Sequence, residues 1–135
     1  MAGLTSDTPL PIGIVQHQQS RVLELQYEDG RSFRLPYEFL RVHSPSAEVV
    51  GHGPGQETLQ TGKREVLILS LEPVGQYALK PTFSDGHDSG LYTWDYLYEL
   101  ATRQDALWQR YLERLQAAGL DRDQPMTPAA RGGCH

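Results

Sequence analysis

The sequence predicts an α+β fold in which a mainly antiparallel or mixed β-sheet packs against one or two C-terminal α-helices. Three observations lead to this prediction: alternating apolar residues in the first half, an Asp-Gly turn between two such segments, and apolar residues at helical spacing in the last third. At 135 residues the chain has the size of one domain. We expect residues 11–120 to form the folded unit and the polar segments 1–10 and 121–135 to be disordered tails.

Alternating apolar residues around an Asp-Gly pair predict a β-hairpin. Its strands are expected over residues 21–27 and 32–35, and a further strand over 11–18 precedes them. Asp29 and Gly30 favour the positive φ angles of a tight turn between the two hairpin strands. The side chains expected on the buried face are Leu23, Leu25, Tyr27, Phe33 and Leu35.

The middle of the chain predicts a short helix, a long loop and two more strands. Pro36 suits the first position of a helix over 36–42, because its missing N–H is not needed there. The Gly- and Pro-rich segment 44–63 indicates a loop, whose length favours either function or mobility. Strands follow over 64–73, where both faces look buried, and over 76–83.

The C-terminal third predicts one continuous helix or two, with Thr93 as the N-cap of the first and Thr102 as a cap if they are separate. Gly119 suits the left-handed conformation that ends a helix, and Leu120 is then expected to pack back on Leu115. Apolar residues at i, i+3, i+4 and i+7 spacing define the expected buried stripes: Trp94, Leu97, Tyr98 and Ala101, then Trp108, Tyr111, Leu112 and Leu115.

Composition excludes several classes of function. The formal charge of −5, without a basic block, argues against nucleic-acid binding, and no apolar run approaches the length needed to span a membrane. The N-terminus lacks the basic and apolar regions of a signal peptide, and Cys134 has no partner for a disulfide. We therefore expect a cytoplasmic protein that inserts into no membrane.

Three loop histidines are the candidate metal ligands: His43, His52 and His87. Imidazoles with nearby carboxylates could converge on iron or zinc, but the absence of any His-x-Asp or His-x-Glu pair excludes the usual facial triad of an iron oxygenase. The alternative is that each histidine is a hydrogen-bonded loop residue.

Two catalytic motifs are considered and set aside. The glycine-rich segment 51–56 lacks the Lys-Ser or Lys-Thr pair of a phosphate-binding loop. Segment 84–90 (SDGHDSG) holds serine, histidine and aspartate, but neighbours in one loop align poorly as a catalytic triad.

A binding face is expected where the loop at 43–56 meets the loop at 84–90, since loops on a rigid scaffold concentrate binding residues. Tyr92 and Tyr96 are the aromatic residues left outside the helical stripes and are therefore candidates for exposure. The residues assigned to the face are Ser44, Ser46, Asp85, Asp88 and Tyr92.

Three segments, 29–42, 40–56 and 71–100, carry a family resemblance because their short motifs occur in order with matching spacing. Over roughly residues 14 to 100 the chain resembles the gamma-butyrobetaine hydroxylase-like N-terminal domain family, in a stand-alone bacterial form. In the full-length hydroxylase this domain precedes an oxygenase domain that binds iron and 2-oxoglutarate. This chain ends before such a domain, so the resemblance does not imply oxygenase activity.

The resemblance also implies a position for a structural zinc. In the hydroxylase three cysteines and a histidine bind the metal, and they match Ser44, Ser46, Val49 and His87 here. Three of these four ligands are therefore replaced, and serine hydroxyls are poor zinc ligands. Relatives fused to iron–sulfur ATPases suggest an accessory role near iron handling.

Three functions stay open. The leading hypothesis is a non-catalytic binding or accessory module that recognises another protein, with iron or zinc at the histidines as the cofactor considered. The second is a small metalloenzyme or enzyme subunit that uses His87 with Asp85 or Asp88. The third is a purely structural module whose glycines serve the loop turns.

Overall fold

The computed structural model describes residues 8–46, 49 and 59–125. Its first sheet is an antiparallel meander of β1 (Pro11–His17), β2 (Val22–Tyr27) and β3 (Ser32–Pro36), in the order β1-β2-β3. The predicted hairpin is confirmed. Gly30 has a φ of 91°, and the Asp29 carboxylate accepts a hydrogen bond from the Arg31 backbone N–H across the turn. Along β2 the alternate residues Leu23, Leu25 and Tyr27 are buried, as the pattern predicts.

Helix α1 (Tyr37–Val42) follows β3 directly, with Pro36 as the residue before it rather than its first turn. All six residues of α1 are buried, including the charged Glu38 and Arg41. Both Glu38 carboxylate oxygens accept hydrogen bonds from Arg122, at 2.7 and 2.5 Å. An ion pair rather than an apolar stripe therefore attaches the segment around Arg122 to α1.

The second sheet contains β4 (Ile68–Val74), β5 (Ala78–Phe83) and β6 (Tyr92–Thr93), all antiparallel in the order β4-β5-β6. The prediction that both faces of the strand over 64–73 are buried is wrong. β4 begins at Ile68 and, among the strands that the structure describes, pairs only with β5; Leu69 is 61% exposed. The apolar run resembles a strand covered on both faces, but most of its residues from Leu69 to Pro73 are exposed.

Two separate helices, α2 (Trp94–Thr102) and α3 (Gln104–Ala117), follow β6. The Thr93 side chain caps α2 by accepting from the Tyr96 N–H, as predicted. Thr102 does not cap α3, because its hydroxyl donates back to the Tyr98 carbonyl at the end of α2. None of the helices in the described ranges is long and apolar enough to cross a membrane.

The end of α3 has the predicted Schellman geometry. Gly119 has a φ of 71°, its N–H donates to the Gln116 carbonyl, and the Leu120 N–H donates to the Leu115 carbonyl at 2.9 Å. Leu120 then packs against a small apolar cluster of Val42, Tyr111 and Leu115. The larger core lies between the two sheets, α1 and α2. These two clusters fix the end of α1 against α3.

Candidate functional site

The turn after α1 and the loop between β5 and β6 meet through a buried serine–histidine pair. Ser44 is fully buried and its Oγ lies 2.8 Å from His87 Nε2. The same Oγ accepts from the Ser46 N–H at 3.2 Å. A methyl group at Gly90 would lie 2.5 Å from Ser44 Oγ, so glycine is needed there for the two loops to approach. We call Ser44, Ser46, His87 and Ser89 the serine–histidine cluster.

Further bonds join the residues of this cluster and their surroundings. Ser46 Oγ lies 2.6 Å from Ser89 Oγ, which joins the two loops a second time. Tyr92 lies beneath them at 2% exposure, and its hydroxyl donates to the Leu40 carbonyl at 2.5 Å. Burial raises the pKa of the Tyr92 hydroxyl, so it stays a neutral donor. The cluster is therefore a satisfied internal network.

A charged cluster lies beside it. Asp85 Oδ2 accepts from Arg41 Nε at 2.9 Å and from Lys63 Nζ at 2.6 Å, while Asp85 Oδ1 accepts from the His87 N–H at 3.2 Å. Burial alone would raise the pKa of the Asp85 carboxyl, but the hydrogen bond from Lys63 and the charge of Arg41 outweigh it and lower that pKa. Arg41 Nη1 is buried without a hydrogen-bond partner among the described residues.

The structure brings together most of the predicted binding face but places much of it below the surface. Ser44, Ser46 and Tyr92 are buried, whereas Asp85 and Asp88 are exposed residues. Tyr92 is therefore not available as an exposed aromatic anchor, because it lies in the core cluster. Buried serines and a buried tyrosine can support a face but cannot themselves contact a partner.

The three predicted metal-ligating histidines do not form a described metal site. His87 is held by Ser44, and His43 bonds through Nδ1 to the Phe39 carbonyl at 3.0 Å. His52 lies outside the described residues. Within residues 8–46, 49 and 59–125, no three His, Cys, Asp or Glu side chains are grouped as a metal would require.

The residues at the zinc position implied by the resemblance do not fit that metal. Ser44 and Ser46 present neutral hydroxyls and Val49 presents no ligand atom, whereas structural zinc prefers thiolates and imidazoles. In addition, the one imidazole at the position is hydrogen-bonded to the serine that replaces a cysteine. Here hydrogen bonds join the loops where the hydroxylase uses zinc.

A cleft of about 220 Å³ opens on the other side of Ser44, between the end of α1 and helix α3. Its polar lining comes from His43, Ser44, Gln60, Tyr96, Arg110 and Arg114, and we call it the His43 cleft. Its remaining lining residues are Val42, Val49, Leu59, Leu107 and Tyr111.

His43 forms part of the wall of this cleft. Its ring lies 4.6 Å from the Phe39 ring, centroid to centroid. Burial lowers the pKa of the His43 imidazole; the Phe39 carbonyl opposes that shift and the charge of Arg114 adds to it. The imidazole is therefore favoured in its neutral form, packed among aromatic rings.

Sequence reasoning missed the cations of both regions. Arg41 had a usable signal, since an arginine inside the apolar helix segment 37–42 must find an anion if it is buried. Arg110 and Arg114 had a weaker one, namely two like charges at i, i+4 spacing on one helix. Neither signal indicates which loop or helix the charge faces.

Comparison with known proteins places the chain among small proteins of the same fold. A family model described as gamma-butyrobetaine hydroxylase-like, N-terminal, matches residues 14–98. An NMR solution structure of a protein 55% identical has a TM-score of 0.75, with 90% of this chain and 96% of that chain covered. A second NMR structure is 48% identical, with a TM-score of 0.75 and coverage of 93% and 94%.

A third solved structure carries a family name and a source. It is a crystal structure, at 1.93 Å resolution, of a protein with unknown function from the DUF971 family of Acidithiobacillus ferrooxidans ATCC 23270. It is 38% identical, with a TM-score of 0.58, and the match covers 72% of this chain and 98% of that chain. No curated protein matches the chain.

Proposed function

Because the chain belongs to the gamma-butyrobetaine hydroxylase-like N-terminal domain family, we propose that it is a non-catalytic accessory module that binds another protein along β1. The observation that carries the proposal is the apolar outer strand of the first sheet. Ile12 is 70% exposed, Leu10 53%, Val15 38% and Ile14 36%. Apolar side chains exposed side by side on a small protein are typical of an interaction surface.

The free edge of β1 carries no charged guard, and only its first residues are protected, by Pro11 and by the shift in register between Pro11 and Gly13. β1 pairs with β2 alone, and in the described part of the chain no strand pairs with its other edge. Natural edge strands are commonly guarded by charged side chains, yet residues 9–20 contain no Asp, Glu, Lys or Arg. An extended segment of a partner could add to this edge through main-chain hydrogen bonds, as in β-augmentation.

A further exposed apolar residue, on β4, lies close to the end of β1. Gln18 donates a side-chain hydrogen bond to the Ile68 carbonyl at 2.9 Å, which brings the end of β1 to the start of β4. Leu69, the next residue of β4, is 61% exposed. The surface proposed for the partner therefore extends from β1 toward β4.

The side chains that could do chemistry support a non-catalytic role. Ser44 and His87 bond each other, and Asp85 bridges Arg41 and Lys63. Each of these groups is held by the fold rather than directed at an accessible substrate site. An enzyme would need a base or nucleophile in contact with a substrate position.

The test uses charged substitutions on the exposed strand. The wild-type chain is used to capture a partner, the partner is identified and purified, and its affinity is measured by calorimetry. Ile12→Lys with Ile14→Lys should weaken binding by about tenfold or more, since a charge would be buried at the contact. Leu91→Lys, at a residue 39% exposed outside β1, is the matched control and should bind as the wild type does.

Other outcomes would overturn the proposal. If the Ile12→Lys, Ile14→Lys variant binds with unchanged affinity, the partner binds at a surface other than β1. A dimer in sedimentation that dissociates in that variant would make a second copy of this chain the occupant. A failure to recover any stoichiometric partner would count against an accessory role.

The metal-linked form of the proposal is tested separately. It requires iron or zinc at the histidines, and His87 is the ligand that the resemblance retains. Elemental analysis of protein purified without chelator should find about one equivalent of metal, lost in His87→Ala, if that form holds. Metal-free folded protein would remove metal from the proposal and leave the protein-binding role on β1 unaffected.

A further inference from the structure

The segment that follows α3 folds back and contacts the domain as a short bound peptide would. We call residues 121–125 the C-terminal strap. Arg122 donates two hydrogen bonds to the Glu38 carboxylate, at 2.7 and 2.5 Å, and its guanidinium lies 5.0 Å from the centre of the Trp108 ring. A planar guanidinium suits both contacts, because it pairs with a carboxylate through two parallel bonds and stacks on an aromatic face. Glu38 and Trp108 therefore form an arginine site that Arg122 occupies.

Both receiving side chains are positioned by contacts outside the strap. Glu38 belongs to the buried helix α1, and its side chain is 7% exposed. A buried carboxylate costs free energy unless a cation pairs with it, so this position demands a cationic partner. Trp108 is held by Phe39 and Tyr111, whose ring centroids lie 6.3 and 4.9 Å from its own. A ring and a carboxylate that are already in place lower the entropic cost of binding a guanidinium.

Further contacts fix the direction of the strap. Asp123 pairs with Arg64 through both carboxylate oxygens, at 2.7 and 2.8 Å. The Gly62 N–H donates to the Arg122 carbonyl at 2.8 Å. A Cβ atom at Gly62 would lie 3.0 Å from the Gln124 carbonyl oxygen, so the strap approaches the backbone of this glycine closely. The site therefore fits a short segment in which an aspartate follows an arginine.

The contacts of the strap are of a kind that a competing segment replaces. Asp121, Asp123, Gln124 and Pro125 are exposed. The ion-paired side chains of Arg64 and Asp123 are 47% and 54% exposed. Exposed ion pairs contribute little to stability and weaken as salt is added. A partner segment with the same two side chains would make the same bonds, so it would compete with the strap for one site.

We infer that Glu38, Trp108 and Arg64 form a recognition site for an Arg-Asp segment of a partner protein, and that the C-terminal strap occupies this site in the free chain. The chemistry of the partner follows from the site: a guanidinium for the buried carboxylate and the ring, and a carboxylate for Arg64. The formal charge of −5 on the chain favours the approach of a cationic segment. The inference goes beyond the proposed function, because these residues lie outside β1.

The test is an NMR titration of the full ¹⁵N-labelled chain carrying Arg122→Ala, which empties the site. The probe is a five-residue peptide with the strap sequence DRDQP, blocked at both ends. The wild-type chain should bind it about tenfold more weakly or not at all, because its own strap occupies the site. In the variant, saturable shifts are expected at the amides of Glu38, Gly62 and Arg64 and at the Trp108 indole N–H.

Matched controls test each contact. A peptide with lysine in place of arginine should bind about tenfold more weakly, since an ammonium lacks the two parallel donors of a guanidinium. Asparagine in place of the aspartate after the arginine should weaken binding by less than about threefold, because the pair with Arg64 is exposed. Arg122→Ala with Glu38→Gln should lose the peptide. Arg103→Ala, which removes an exposed ion pair with Glu99, should bind it as weakly as the wild type does.

A second variant tests the inference without removing the charge beside Glu38. Arg122→Ala leaves a buried carboxylate unpaired, which destabilises a fold. Arg122→Lys keeps a cation there but loses the paired hydrogen bonds of the guanidinium. It should bind the peptide about threefold or more tightly than the wild type does, since its strap competes less well.

Four results would overturn the inference. If neither Arg122 variant shows saturable shifts with the peptide, the strap is only a structural attachment. If the arginine and lysine peptides bind equally, the site does not recognise a guanidinium. If wild type and Arg122→Ala bind the peptide equally, it binds at another surface. If the wild type is a dimer in sedimentation and dissociates on Arg122→Ala, the site takes the C-terminal segment of a second copy rather than a partner protein.

Discussion

Ser44 separates two regions that use similar residue types in opposite ways. On one side, the serine–histidine cluster bonds two loops together, and the adjoining Asp85 bonds to the His87 N–H and to Arg41 and Lys63. On the other side, the His43 cleft is an open recess whose described lining includes His43, Arg110 and Arg114. The residues that most suggest chemistry in the sequence are therefore bonded within the fold, while the open cleft is lined by residues to which the sequence analysis assigns no role, apart from His43 and Ser44.

The comparison teaches that the neighbours of a histidine decide its role. His87 is buried against Ser44, whose hydroxyl is itself bonded to the Ser46 backbone. His43 packs beside Phe39 at the wall of a cleft. Sequence analysis treats the two imidazoles alike because both lie in loops next to small or polar residues.

The largest effect is expected from removing the charge that joins the two loops to the core. Asp85→Asn keeps the shape of the side chain but leaves Arg41, 8% exposed, and Lys63, 13% exposed, without their carboxylate. We expect the free energy of unfolding to fall by about 2 kcal/mol at pH 7, since an uncompensated buried cation is costly. Urea denaturation measures it, and Asp88→Asn in the same loop should change stability by less than about 0.5 kcal/mol.

The same carboxylate should give an acid-dependent loss of stability. Its folded-state pKa is lowered from 3.8, so its contribution is complete above that pH and disappears as the pH falls through the lowered folded-state value. In Asp85→Asn, the free energy of unfolding should therefore fall less steeply below that pH than it does in the wild type. If wild type and variant lose the same free energy of unfolding at low pH, Asp85 does not form a charged pair with Arg41 and Lys63.

A smaller effect is expected where the loops make their closest approach. Gly90→Ala places a methyl group 2.5 Å from Ser44 Oγ, so the Ser44–His87 bond must break or the loops must separate. The expected cost is about 1–3 kcal/mol. In the double variant Gly90→Ala with Ser44→Ala the clash is with a smaller side chain, so the two costs should be less than additive. Additive costs would place the strain elsewhere, for example at Pro45, 3.3 Å away.

Local patterns predicted the elements better than their surroundings. The Asp29-Gly30 turn, the Thr93 cap and the Gly119 helix end follow from short-range chemistry and are confirmed. The exposure of β4 was not predictable, because an apolar run does not say whether both faces of its sheet are covered by other elements. The ion pair of Glu38 with Arg122 joins residues 84 positions apart and leaves no local pattern.

The candidate site shows the same limit. The pairing of Ser44 with His87 could be anticipated only through the family resemblance, which aligns both with ligands of one metal. The burial of Ser44 could not be anticipated, since loop serines are usually exposed. The His43 cleft depends on how α3 lies against the end of α1, which tertiary packing sets.

The smallest expected effect tests, through its pH dependence, whether His43 is neutral in the cleft wall. Burial lowers the folded-state pKa of His43 from 6.5, so the unfolded chain binds the extra proton more readily, and stability should fall as the pH drops below that value. Comparing the free energy of unfolding at pH 7.5 and pH 5.5 should show this loss in wild type and a smaller one in His43→Asn. His17→Asn is the matched control, because His17 lies on β1 beside Glu24 and away from the cleft. If the wild-type loss persists unchanged in His43→Asn, another group carries the titration and His43 is not favoured as the neutral form in the cleft wall.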